Sequence, residues 1–232
     1  MKQGQAQPQE MVPRQRRRGG LLLLTEVVAW HGASSCWLQQ WLRDGSRAAW
    51  VRLYHLCDAP GVYDRAQALR LGRELEELGV GWLEMPTFPE DTEGYVQLAK
   101  ALDLPIALDS LTSRFEAREL IRLGGIDVVQ PDVCRAGGIT ECRRIAKLAD
   151  TFGLAYAPHV SIGSAIHFAG TAHLASALPN TLISEYWIGK NPIGDSILEQ
   201  PLRLVDGYLE TPSAPGLGIH VREDALWAEN RM

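Results

Sequence analysis

No two of the four cysteines, Cys36, Cys57, Cys134 and Cys142, are spaced as CxxC. The sequence therefore signals neither a zinc motif nor a disulfide framework, and a reducing cytoplasm is the expected compartment. No apolar run approaches the ~18 residues of a bilayer span, so no membrane partner is expected. Charge of one sign is not in large excess. A net charge of −5 and a pI near 5.7 give no ground to expect nucleic acid as a partner, which leaves small-molecule chemistry. No secretory signal is expected: Arg14, Arg16, Arg17 and Arg18 precede Gly19-Gly20 and the run Leu21 to Leu24, but Glu26 interrupts the apolar stretch. Residues 1–20 read as a disordered basic tail.

What is there is a rhythm. The 232 residues, 46% hydrophobic and 22% charged, can bury a sizeable core as one globular domain, though eight βα units typically need ~250. A strand is expected over 48–56 and a helix over 65–78, ended by Gly79. Strands over 80–83, 106–108, 126–129 and 154–157 are each followed by a helix, over 92–102, 115–123, 139–152 and 164–178, and a last strand is expected over 182–184. The alternation is that of consecutive βα units in a parallel barrel, whose C-terminal strand ends converge on one mouth. After Asn191, Pro201, Asp206-Gly207, Pro212 and Pro215-Gly216 mark turns and short strands.

Acids and a base end these runs. In order they are Asp58, Glu84, Asp109, Asp132, His159 and Glu185. An isolated Asp after a strand is usually a turn or helix-cap residue; the joint placement is what points to a site. Three carboxylates on successive strands suit a hard divalent cation such as Mg²⁺, which can act as a Lewis acid on a substrate carboxylate. His159 and Asp132, on neighbouring strands, form a pair that can move a proton near neutral pH. Glu185 reads either as a hydrogen-bond donor to a developing enolate or as an ion-pairing residue. His167 and His173 fall on a helix and read as packing or surface residues.

The run Gln130-Pro131-Asp132-Val133-Cys134-Arg135-Ala136-Gly137-Gly138-Ile139-Thr140-Glu141, followed by Ala157-Pro158-His159, His173-Leu174-Ala175, Ala177-Leu178-Pro179-Asn180, Glu185 and Pro215-Gly216-Leu217-Gly218-Ile219, resembles the mandelate racemase group of the enolase superfamily. The resemblance covers roughly residues 58–226. It implies an α/β fold, an incomplete TIM-type (β/α)7β barrel with about six βα units recognisable. It also implies Mg²⁺ and removal of a proton alpha to a carboxylate. By the resemblance Asp58, Glu84 and Asp109 match the metal ligands, Asp132 and His159 the catalytic dyad, and Glu185 the enolate-stabilising acid.

The sequence departs from the pattern at several points. Asp58-Ala59-Pro60-Gly61 stands where the family has Asp-Ala-Asn-Gly, and Glu84-Met85-Pro86 where it has Glu-Glu-Pro. Asp109 replaces a Gly-Glu, with a shorter side chain that muconate-lactonising-type members also use. The family's N-terminal capping domain and its Lys-x-Lys base motif have no recognisable counterpart; residues 21–57 contain no Lys and read as an atypical segment of early barrel strands. Racemisation normally needs a base on each face of the carbon, whereas one His-Asp dyad can serve a dehydration. The leading expectation is dehydration of a sugar acid, a small carboxylate substrate. A truncated or degenerate non-catalytic barrel, a racemase or epimerase of a hydroxy acid, and a non-catalytic assembly subunit remain alternatives, and an exposed sheet edge would favour a homo-oligomer.

Overall fold

The computed structural model describes residues 21–25, 56–187, 191, 194, 196–205 and 207–228. The expected tail over 1–20, most of the segment over 21–57 and nearly all of the strand over 48–56 lie outside these residues. The five-stranded parallel sheet of the described residues begins at β2 (Cys57–Asp58); an earlier strand, β1 (Leu21–Thr25), is described below.

From β2 the alternation runs as expected: α1 (Arg65–Glu77), β3 (Leu83–Glu84), α2 (Thr92–Ala101), β4 (Ile106–Leu108), α3 (Arg114–Leu123), β5 (Val128–Val129), α4 (Gly138–Thr151), β6 (Ala155–Tyr156), α5 (Ala165–Ala177) and β7 (Ser184–Glu185). Strands β2 to β6 form a parallel sheet in sequence order, in the register Cys57↔Leu83, Leu83↔Ile106, Ala107↔Val128 and Val128↔Ala155. The wall continues through a parallel bridge from Tyr156 to Thr181, and β7 pairs in parallel with β1, Leu24 opposite Ser184. Strand β1 also pairs antiparallel with β9 (Tyr208–Glu210), itself paired with β8 (Leu204–Val205). A short helix, α6 (Glu223–Ala228), follows where the sequence suggested only turns and strands.

Local chemistry explains where the helices begin. Asp64 caps α1 in a reciprocal box, accepting from Gln67 N at 2.8 Å while Gln67 Oε1 accepts from Asp64 N at 3.0 Å. Asp91 caps α2 and Ser113 caps α3. Gly124 ends α3 in the left-handed region, φ 67°, which a residue with a Cβ enters at a cost. Helix α5 is buried almost all round, matching its run of small apolar residues.

Side chains on the strands alternate between two apolar clusters. Leu83, Ile106, Leu108, Val129 and Tyr156 pack outward against Leu75, Leu98, Leu120, Ile145 and Leu174 of the helices. Leu56, Trp82, Ala107, Val128, Ala155, Ala157 and Ile183 form a second cluster on the opposite face, the barrel interior. The described residues thus form an α/β fold, a partial (β/α)7β-type barrel wall. Among them no helix is long and apolar enough to cross a membrane.

Candidate active site

The interior cluster fixes the site by counting. Residues two apart on a strand share a face, so the step beyond Leu56 is Asp58, beyond Trp82 is Glu84, beyond Ala107 is Asp109, beyond Val128 is Gln130, beyond Ala157 is His159 and beyond Ile183 is Glu185. An apolar layer is therefore followed by a polar layer at the C-terminal strand ends. Asp132 lies a further two residues past Gln130, in a turn closed by Arg135 N and Ala136 N donating to its carbonyl at 3.1 and 2.8 Å.

The carboxylates crowd one another. Glu84 is buried and accepts at Oε2 from Gln130 Nε2 at 2.8 Å and from Trp82 Nε1 at 3.2 Å. Burial, then the charge of Asp58, pushes its carboxyl up to about 8 against the Gln130 hydrogen bond; Asp109 and Glu185 add to the push. Asp109 is also buried, and its Oδ1, like Gln130 Oε1, has no hydrogen-bond partner. Glu84 and Asp109 are buried oxygen donors, the one pushed toward its neutral form and the other with an orphaned acceptor, which suits a hard divalent cation. Asp58 is half-buried, and the three carboxylates are not among the described groups whose ligand atoms all lie within 4.8 Å of one another.

His159 stands among acids on three sides. Its Nδ1 is 3.0 Å from Asp132 Oδ2, and its Nε2 is 3.5 Å from Asp109 Oδ2 and 4.0 Å from Glu185 Oε2. Burial works to lower its pKa, but the Asp132 hydrogen bond and the charges of Glu185, Asp109 and Glu84 outweigh it and hold the imidazole at about 9. Asp132 goes the other way. Burial disfavours its charge, yet His159, His167 and the Cys134 backbone N–H, 2.6 Å from Oδ1, hold the carboxyl well below the usual range. Arg135 brings a cation to the same mouth, Nη1 3.5 Å from Asp109 Oδ2.

Glu185 is fastened from below. Its Oε2 accepts from Val160 N at 2.7 Å and Ser161 N at 2.9 Å. Ser161 takes φ 50° for this, and Met85, directly after Glu84, takes φ 42°. Both lie in the left-handed region that side chains with a Cβ rarely adopt, and such positions gather at functional sites.

The six residues singled out from sequence thus occupy one mouth. Two further residues were not assigned to the site there. Gln130 follows from the two-residue step past Val128 and had that signal in plain view. His167, expected to be a packing or surface residue, is buried, and its Nε2 also lies 3.0 Å from Asp132 Oδ1, a contact that the sequence does not signal. Among the described residues, the group of three potential ligands whose atoms all lie within 4.8 Å of one another is Asp132, Cys134 and His167.

The described residues form a parallel barrel wall with acids and a base at its C-terminal strand ends. The chain belongs to the enolase C-terminal domain-like family, which matches residues 48–225. It is 36% identical over 167 residues to arabinonate dehydratase of Saccharolobus solfataricus, covering 72% of this chain and 44% of that one. It is 34% identical over 180 residues to D-galactonate dehydratase of Xanthomonas campestris, covering 75% and 47%. Among solved structures, a variant of L-talarate/galactarate dehydratase liganded with Mg and L-glucarate superposes with a TM-score of 0.70 at 33% identity, over 83% of this chain and 46% of that one. The chain spans about half the length of the curated relatives it matches.

Proposed function

We propose that residues 58–226 form the barrel portion of an enzyme that removes the proton alpha to the carboxylate of a sugar acid and completes a dehydration, with His159 as the base. The observation that carries this is the Asp132–His159 contact. Nδ1 is tied to Asp132 at 3.0 Å, so Nε2, turned toward Asp109 and Glu185, is the atom left to exchange a proton with substrate. The alpha C–H bond breaks and its proton goes to Nε2. The electron pair left behind expels the beta hydroxyl, which leaves as water on taking the proton back from the imidazolium. Asp132, held ionised, supports the imidazolium between the two steps. Glu185, pinned by two backbone N–H groups, is placed to hydrogen-bond the developing oxyanion.

Asp58, Glu84 and Asp109 are the residues that would hold Mg²⁺, which when bound would polarise the substrate carboxylate and offset the crowded negative charge. The sugar-acid dehydratases among the relatives and the Mg-liganded dehydratase structure support this reading. The test is incubation of the full chain with Mg²⁺ and a panel of sugar acids in D₂O. A 2-keto-3-deoxy acid is expected from at least one of them, together with its loss in His159→Asn. Full alpha-proton exchange by His159→Asn would remove His159 as the base, and epimerised product with no keto-deoxy acid would remove the dehydration.

A further inference from the structure

The group formed by Asp132, Cys134 and His167 differs in chemistry from the all-oxygen set. It offers a carboxylate oxygen, a thiol sulfur and an imidazole nitrogen, all within 4.8 Å of one another. Asp132 and Cys134 come from one turn, tied by the Cys134 N–H on Oδ1. His167 comes from the first turn of α5, whose start is set by Ser164 Oγ accepting from His167 N at 3.3 Å. Gly163 makes room for the ring: a Cβ there would stand 2.5 Å from His167 Nδ1.

His167 is only 7% exposed, and its Nε2 lies 3.0 Å from Asp132 Oδ1, so the ring and the carboxylate are paired across the turn. Two ligands each ~2.1 Å from a zinc-type ion stand roughly 3–3.5 Å apart, so the separation suits a shared cation. Cys134 is exposed, which gives the site its sulfur and a path from solvent.

We propose that Asp132, Cys134 and His167 form a second metal site, for a borderline cation of the Zn²⁺ class, and that its occupation switches off the dyad. Thiolate and imidazole donors favour such ions over Mg²⁺, which prefers oxygen. Binding releases the Cys134 proton to solvent and uses the Nε2 lone pair of neutral His167. The cation then shares the charge of Asp132 that supports the His159 imidazolium. The inhibitory consequence rests on the proposed function; the site itself does not.

The experiment is titration of the full chain with Co²⁺ in saturating Mg²⁺, read by the near-ultraviolet thiolate-to-cobalt charge-transfer band. The band should grow to one ion per chain and be displaced by Zn²⁺. It should vanish in Cys134→Ser and in Cys134→Ala, two changes at an exposed position, and its midpoint should move at least about tenfold in His167→Gln. It should survive in Asp58→Asn, which breaks the oxygen set. No band, or a band unchanged in Cys134→Ser and so owed to another thiol, would overturn the proposal. A band in a chain that turns over no sugar acid would uphold the metal site and discard the proposed function.

Discussion

At the scale of single residues, the mouth shows how far a sequence pattern carries. Asp91 is a plain example outside it. Its side chain accepts from Gly94 N at 3.0 Å as the cap of α2 and pairs with Arg65, whose Nε donates to Oδ2 at 2.7 Å. The Arg65 hydrogen bond holds the Asp91 carboxyl below its ordinary value. The stability it contributes is therefore present above the unfolded pKa of ~3.9 and lost as pH falls through the lower folded value. Asp91→Asn keeps a capping oxygen but loses the ion pair, so it should cost about 0.2–1 kcal/mol at neutral pH. Denaturant unfolding at several pH values should show the difference shrinking below pH ~4. Asp58, Glu84, Asp109, Asp132, His159 and Glu185 were legible because each ends an apolar run. Gln130 is neutral and drew no notice, and His167 sits inside a helix whose uniform apolarity hides which side meets Asp132.

At the scale of elements, the helices fell within a residue or two of their expected bounds because caps and apolar spacing agree. The strands were legible only as runs. Their ladders are two or three residues long, and neither backbone register nor the short helix α6 has a local signal. Two glycines separate the forces that hold the helix layer. Gly124→Ala adds a Cβ that meets nothing within 4 Å, so its expected cost of ~1 kcal/mol is backbone strain alone at the end of α3. Gly72→Ala on α1 places a Cβ 2.3 Å from Leu102 Cδ1, so its expected cost of ~1–3 kcal/mol is overpacking between α1 and the end of α2. Thermal unfolding of the two variants, of Leu102→Ala and of Gly72→Ala with Leu102→Ala should show coupling between positions 72 and 102.

At the scale of the whole molecule, the oxygen set is drawn from β2, β3 and β4, one carboxylate from the end of each, so it exists only when those strands are assembled. A cation that binds there reports on the pairing of those three strands. Mg²⁺ at ~100 times its dissociation constant should raise the stability of the wild type by ~2.7 kcal/mol and leave Asp58→Ala unmoved. Calorimetric unfolding with and without the ion checks this, and an equal rise in both proteins would place the cation elsewhere. The expected parallel barrel was legible from the alternation of runs and helices; the pairing of β1 with both β7 and β9 was not, since it depends on chain segments far apart in sequence.

The two-residue step from apolar to polar layer also governs which changes in chain length the protein can absorb. A residue inserted in a loop below the sheet, such as the turn at Gly79 between α1 and β3, displaces only surface chain. A residue inserted between Trp82 and Glu84 would turn the carboxylate onto the helix-packed face and bring an apolar neighbour into the mouth. Divergence by insertion is thus open to the loops and closed to a handful of dipeptide steps, and length at those steps constrains the chain more tightly than residue identity does almost anywhere else.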